Sequence, residues 1–202
     1  MDDKTTRHNQ VAYDQIAGLY ARRQQSRDRS FPDLREAFAA RLPAAASLAD
    51  LGCGPAHDGA SFAAAGHRVT GIDRSAAMLA IAGQALPGRL MQADLRSVPL
   101  AAASLDGIWC CAAMLHVPED QTMMVLNEFR RVLRPGGYLA LVTALGDGAR
   151  LEPVPYAPDV QRWFFYRTAS QLQRQLLAAR LRVITATEEP SSRHWFKVLA
   201  AA

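Results

Sequence analysis

The chain has 202 residues, half of them hydrophobic and 21% charged, which suits one globular domain with a sizeable core rather than a disordered or membrane protein. No apolar run approaches the length that crosses a bilayer, and the polar start MDDKTTRHNQ lacks the apolar stretch of a signal peptide, so a cytoplasmic location and no membrane contact are expected. The formal net charge of +4 is carried by arginines spread from Arg7 to Arg193, which does not indicate nucleic acid, and the cysteines Cys53, Cys110 and Cys111, odd in number with two adjacent, read as free thiols.

Two amphipathic helices are expected first, around VAYDQIAGLYARR and FPDLREAFAARL, with Tyr13, Ile16, Leu19 and Tyr20 on one face of the first. SLADL then forms a strand that runs into glycines; ASFAAAG is a short helix ended by Gly66; RVTGID is a second strand; and Ser75 caps the helix AAMLAIAGQAL. The alternation continues through the strands RLMQAD and LDGIWCCAAM, a helix over DQTMMVLNEFRRVL stopped by Pro135, Gly136 and Gly137, and the strand YLALVTAL. A proline-rich excursion follows, and Thr168 with Gln171 makes a capping box that opens the helix ASQLQRQLLAAR. The strands LRVITATEE and HWFKVLA, joined by a turn at PSSR, are close enough in sequence to pair antiparallel. Continuous apolar strands imply a sheet covered on both faces. The expected fold is therefore α/β: a doubly wound, mostly parallel seven-stranded sheet with a final antiparallel strand. A single domain spanning 1–202 is expected, with N-terminal helices to residue 42, a core over 46–145, a variable segment over 146–167, and the last helix and two strands over 168–202.

In such a sheet a ligand sits beyond the carboxyl ends of the strands. Gly52 and Gly54 break the chain at one such end, where a bare backbone can turn tightly and approach a ligand. Asp73 ends the next strand, where a carboxylate can accept both hydroxyls of a ribose. The dinucleotide fingerprint needs a third glycine where His57 stands, and Asp50 places a negative charge that would repel a diphosphate and welcome an ammonium or sulfonium. A phosphate-binding loop is excluded because no Lys-Ser or Lys-Thr follows the glycines.

These residues resemble the class I S-adenosylmethionine-dependent methyltransferases, and the resemblance runs from YDQIAGLY to the last strand. ADLGCGPA is similar to that family's loop around the methionine part of the cofactor, VTGID to its ribose-binding strand, and QADLRSVPL to its adenine-binding block. LDGIWCCAAMLHVPED and VLRPGGYLALVT are similar to its fourth and fifth strands. The resemblance implies S-adenosylmethionine as cofactor, S-adenosylhomocysteine as product, and a binding set of Tyr20, Asp50, Gly52, Cys53, Gly54, Asp73, Arg74, Met78, Asp94, Leu95 and Cys110. It also implies that Tyr13 and Tyr20 close the open side of the cofactor. The five histidines show no metal-ligand spacing, so no metal is expected.

A sulfonium methyl is already activated, and its displacement mainly requires alignment in a closed site. A hydroxyl nucleophile would benefit from a base, for which His116 is the evident candidate; a positioning role is the alternative. The expected activity is methyl transfer to a small-molecule acceptor by direct displacement. The alternatives are a nucleic-acid methyltransferase, disfavoured because CCAAM stands where base-modifying relatives carry an Asp/Asn-Pro-Pro-aromatic block, or a non-catalytic S-adenosylmethionine-binding regulator. Acceptor specificity is expected in Leu151–Arg167, where Trp163, Phe164, Phe165 and Tyr166 suit a lid over the acceptor.

Overall fold

Strands that are apolar on both faces need helices on both sides, and the chain supplies them in alternation. A computed structural model describes residues 4–25, 31–191 and 193–202. Helices α1 (Lys4–Gln25) and α2 (Pro32–Ala39) precede β1 (Ser47–Leu51), α3 (His57–Ala64), β2 (Arg68–Asp73), α4 (Ala76–Ala82) and β3 (Leu90–Gln92). Then come β4 (Leu105–Cys111), α5 (Thr122–Val132), β5 (Leu133–Ala144), β6 (Ala149–Val154), β7 (Ala157–Phe165), α6 (Ala169–Ala178), β8 (Arg182–Glu189) and β9 (Trp195–Ala201). The turn expected at PSSR includes Ser192, which lies outside the described residues.

Seven strands form one sheet in the order β3-β2-β1-β4-β5-β9-β8. The pairs from β3 to β5 are parallel, whereas β9 runs antiparallel to both β5 and β8, as its short connection to β8 requires. One core layer packs α5 and α6 on the sheet, with Val125, Leu126, Phe129, Leu172 and Leu176 against Ile108, Leu139 and Leu141. The other packs α2 and α3, with Leu34, Phe38 and Phe62 against Leu48, Trp109 and Ala140. The chain reverses direction across the sheet between β1 and β4, which opens a crevice at their carboxyl ends.

Some expectations are corrected. The first helix begins at Lys4, and its buried face is Asn9, Ala12, Ile16, Ala17 and Ala21, leaving Leu19 41% exposed. The fourth strand ends at Cys111, because Ala112 adopts a left-handed φ of 55° and Met114–His116 form a short 3-10 turn. Pro135, Gly136 and Gly137 do not stand outside the strand: Gly136 N–H donates to the Ala202 carbonyl and Ala202 N–H to that of Gly137, which absorbs them into β5. The proline-rich excursion is a hairpin, β6 paired antiparallel with β7. Its aromatics alternate at period 2, with Trp163 stacked on Phe165 on one face and Phe164 on Tyr166 on the other. The capping box forms as expected, Thr168 Oγ1 accepting from Gln171 N–H and Gln171 Oε1 from Thr168 N–H. No described helix is long and apolar enough to cross a membrane.

Candidate active site

The crevice is a cleft open to solvent. Its floor is the loop after β1. Gly52 has a φ of 74°, and a Cβ built there would lie 2.2 Å from the Ala113 Cβ, so only glycine lets this loop meet the turn after β4. Gly52 and Cys53 N–H donate to the Ile72 carbonyl, which ties the loop to β2. Gly54 N–H then donates to Asp73 Oδ2 at 2.9 Å while Ser75 N–H donates to Oδ1 at 2.9 Å. The carboxylate at the end of β2 is thus aimed before any ligand arrives, and burial pushes its pKa up despite these bonds.

Asp94 lies further along the cleft and is held by Arg74 and Arg96, with Arg96 Nη2 at 2.6 Å. Burial opposes its charge, but the Arg96 bonds outweigh that and hold the carboxyl below its ordinary range. The roof is α1, fastened by Asp14, whose Oδ1 accepts from Ser75 Oγ at 2.6 Å and Ala77 N–H at 3.2 Å at the start of α4. Gln10, Tyr13 and Tyr20 line the cleft from this helix.

Another part of the lining is built around His116. Its Nδ1 lies 2.7 Å from the Trp163 carbonyl and its Nε2 lies 2.7 Å from Tyr13 Oη. A carbonyl only accepts, so Nδ1 carries the proton and Nε2 accepts from the Tyr13 hydroxyl. The Tyr13 oxygen in turn accepts from Arg162 Nη1 at 3.0 Å. Asn9 bonds both the N–H and the carbonyl of Trp163, at 2.7 and 2.9 Å, which locks β7 onto α1. Burial, with the nearby Arg162 and Arg193 charges, lowers the His116 pKa to about 3, so the ring is neutral.

Of the residues expected from the sequence, Tyr20, Gly52, Gly54, Asp73, Arg74, Met78, Asp94, Leu95 and His116 all line this cleft. Asp50, Cys53 and Cys110 lie elsewhere. Asp50 is 3% exposed and accepts from Gly59 N–H at 2.9 Å, anchoring α3 from below the loop, and burial pushes its carboxyl well up. Cys53 packs with Phe62 and Val69 in one core layer, and Cys110 faces the other, where burial pushes its thiol up to about 12. Because side chains alternate along β4, the neighbouring Cys111 faces the cleft instead. Trp163 and Phe164 do not line the cleft; Phe164 packs with Leu115 and Ala144 at the ends of β4 and β5, its ring 4.8 Å from that of His116. Sequence reasoning missed Asn9, Gln10, Arg96 and Cys111. A signal for Asn9 was present: it shares the buried stripe of α1 with Ala12 and Ile16, where a polar side chain needs a partner. Among the described residues no group of three or more His, Cys, Asp and Glu could hold a metal ion.

Residues 49–141 match the family model described as a methyltransferase domain. Among curated proteins, the chain is 39% identical over 115 residues to a malonyl-[acyl-carrier protein] O-methyltransferase of Enterobacter lignolyticus, covering 55% of this chain and 45% of that one. It is 46% identical over 108 residues to a trans-aconitate 2-methyltransferase of an Azoarcus species, covering 50% and 41% respectively. The chain thus spans about half the length of the curated relatives it matches. Among solved structures, the Burkholderia thailandensis 1,6-didemethyltoxoflavin-N1-methyltransferase, bound to 1,6-didemethyltoxoflavin and S-adenosylhomocysteine, superposes with a TM-score of 0.73 at 22% identity, covering 95% of this chain and 87% of that one. The seven-stranded sheet is the fold they share.

Proposed function

We propose that the chain, whose residues 49–141 match the methyltransferase-domain model, is a class I S-adenosylmethionine-dependent methyltransferase that moves a methyl group from that cofactor to a small-molecule acceptor by direct displacement. The cleft fits the cofactor on its own chemistry. A loop of bare glycines faces it, and Asp73, pinned at both oxygens, keeps lone pairs for a diol. Asp73 would hold the ribose, Asp94 and Leu95 the adenine, and the Gly52–Gly54 loop the methionine part. When bound, the cofactor supplies a methyl already activated on a sulfonium.

The protein's own task is then to align the acceptor and exclude water. Tyr13, Cys111, Ala112, Ala113 and His116 line the cleft as well. The roof of α1 shields it, and the hairpin packs behind that roof. The relatives named for trans-aconitate and for a malonyl group support a small acceptor over nucleic acid. The preset Asp73 carboxylate carries the reading. Calorimetry should show micromolar binding of S-adenosylhomocysteine and none of NAD; the reverse result would remove the proposed function.

A further inference from the structure

Asp94 lines the cleft with its carboxylate already filled. An ionised carboxylate offers about four acceptor positions, and each of these meets a donor. Oδ1 accepts from the Arg96 main-chain N–H at 2.8 Å and from Arg96 Nε at 2.9 Å. Oδ2 accepts from Arg96 Nη2 at 2.6 Å and from Arg74 Nη1. A further donor, such as the exocyclic amine of a base, finds an acceptor on Asp94 only when one of these four withdraws.

The four are not held alike. Arg96 grips the carboxylate as a fork through Nε and Nη2, its own main chain adds a third bond, and its Nη1 donates to Gln121 Oε1 at the start of α5. Moving that side chain breaks three bonds together, and it is 15% exposed. Arg74 meets the carboxylate end-on through Nη1, is 27% exposed, and extends Nη2 to Gln10 Oε1 on the roof helix at 3.3 Å. Its backbone is fixed, because the Arg74 carbonyl accepts from Gln92 Nε2 at 2.9 Å, so only the side chain has to turn. Arg74, Arg96 and Gln10 all line the cleft beside Asp94.

Resting on the reading that Asp94 meets the adenine of S-adenosylmethionine, we infer that Arg74 and the adenine amino group compete for one position on Asp94 Oδ2, so that Arg74 gates the base subsite and the cofactor enters it by turning the guanidinium aside. The carboxylate keeps its counter-charge through the exchange, because the Arg96 fork stays in place. What is traded is a bond from a cation for a bond from a neutral amine, and bonds with an ionised donor are the stronger. The amino group therefore adds little net affinity while Arg74 stands opposite it, and removing Arg74 releases that affinity. The side chain that leaves Asp94 is the one bonded to Gln10, which links the filling of the base subsite to the roof α1.

The test compares, by calorimetry on the purified protein, S-adenosylhomocysteine with an analogue that lacks only the exocyclic amino group of the base. The deciding quantity is the ratio of the two affinities, which cancels any general damage a substitution does to the fold or to the rest of the cleft. Arg74→Met keeps the length of the side chain and removes every donor, and Arg74→Ala serves as a second variant should the first not fold. In either, the preference for the amino-bearing ligand should rise about tenfold over wild type, the scale of one hydrogen bond to a charged group. A rise smaller than about threefold in the folded variant, or a wild-type protein that binds S-adenosylhomocysteine and not the analogue, would overturn the inference, since the amino group would then be met without displacing Arg74 or not met by Asp94 at all. Failure of the wild type to bind S-adenosylhomocysteine would instead overturn the function itself.

Discussion

Gly52 stands where a methyl group has no room, because its Cβ would fall 2.2 Å from that of Ala113 while its φ of 74° strains any other residue. Gly52→Ala should cost about 2–4 kcal/mol, combining overpacking with left-handed strain, and should appear as a melting temperature lower by roughly 5–15 °C. Asp73 is different in kind. Losing the carboxylate removes up to two charge-assisted bonds to a ribose, so Asp73→Ala should weaken S-adenosylhomocysteine binding by about 2–4 kcal/mol in calorimetry. Unchanged affinity in the folded variant would place the ribose elsewhere. That Gly52, Gly54, Asp73 and Asp94 meet at one cleft was legible in the sequence because their placement depends on backbone geometry at strand ends, a local property. Asn9, Tyr13, His116 and Arg162 form one hydrogen-bonded group only because residues as far apart as 154 positions meet. No local pattern encodes that meeting. Asp50 and Cys110 do not line the cleft for a related reason: a motif marks the loop, not which side of it each side chain takes.

At the level of elements, the capping box on α6 was readable residue by residue, and Thr168→Ala should cost about 1 kcal/mol, checked by denaturant midpoint. The hairpin was not readable, since Pro153, Pro155 and Pro158 argue against strands and the aromatic run reads equally well as a loose lid. Pairing survives because this is a two-stranded ribbon with free edges, and a register shift falls between Pro153 and Val154. Its attachment to α1 rests heavily on Asn9. Asn9→Leu strands the N–H of Trp163, worth about 1–3 kcal/mol when left unpaired, and leaves its carbonyl with the His116 Nδ1 bond alone. Amide exchange should then accelerate over 149–165 and leave β1, β4 and β5 unaffected. Equal protection in the variant would show that apolar packing alone docks the hairpin.

Over the whole molecule, the order of apolar strands and helices was enough to recover the sheet, because burial on both faces leaves few other solutions. Its response to acid is set by a few buried groups. His116 titrates near 6.5 when unfolded and is lowered to about 3 in the fold, so between those values the unfolded chain binds more protons. Its contribution to stability is complete above pH 6.5 and declines as the pH falls towards 3. Asp94 and Glu152, held low by arginines, act in the same sense at lower pH, and Asp50 and Asp73, pushed up by burial, act against it. Because His116 is open to the cleft on one side, its share between pH 7 and 5 is about 1–2 kcal/mol, and His116→Gln should remove about that much of the pH dependence of the unfolding free energy over that range, measured by denaturant titration. The strand order also has a temporal side. β9 is seated between β5 and β8, yet it is made after both, so on the ribosome β5 waits with one long apolar edge unpaired until residues 195–201 emerge. A chain stopped at Glu189 would retain every residue that lines the cleft and should still aggregate, because the open edge of β5 would pair with its copy on the next molecule.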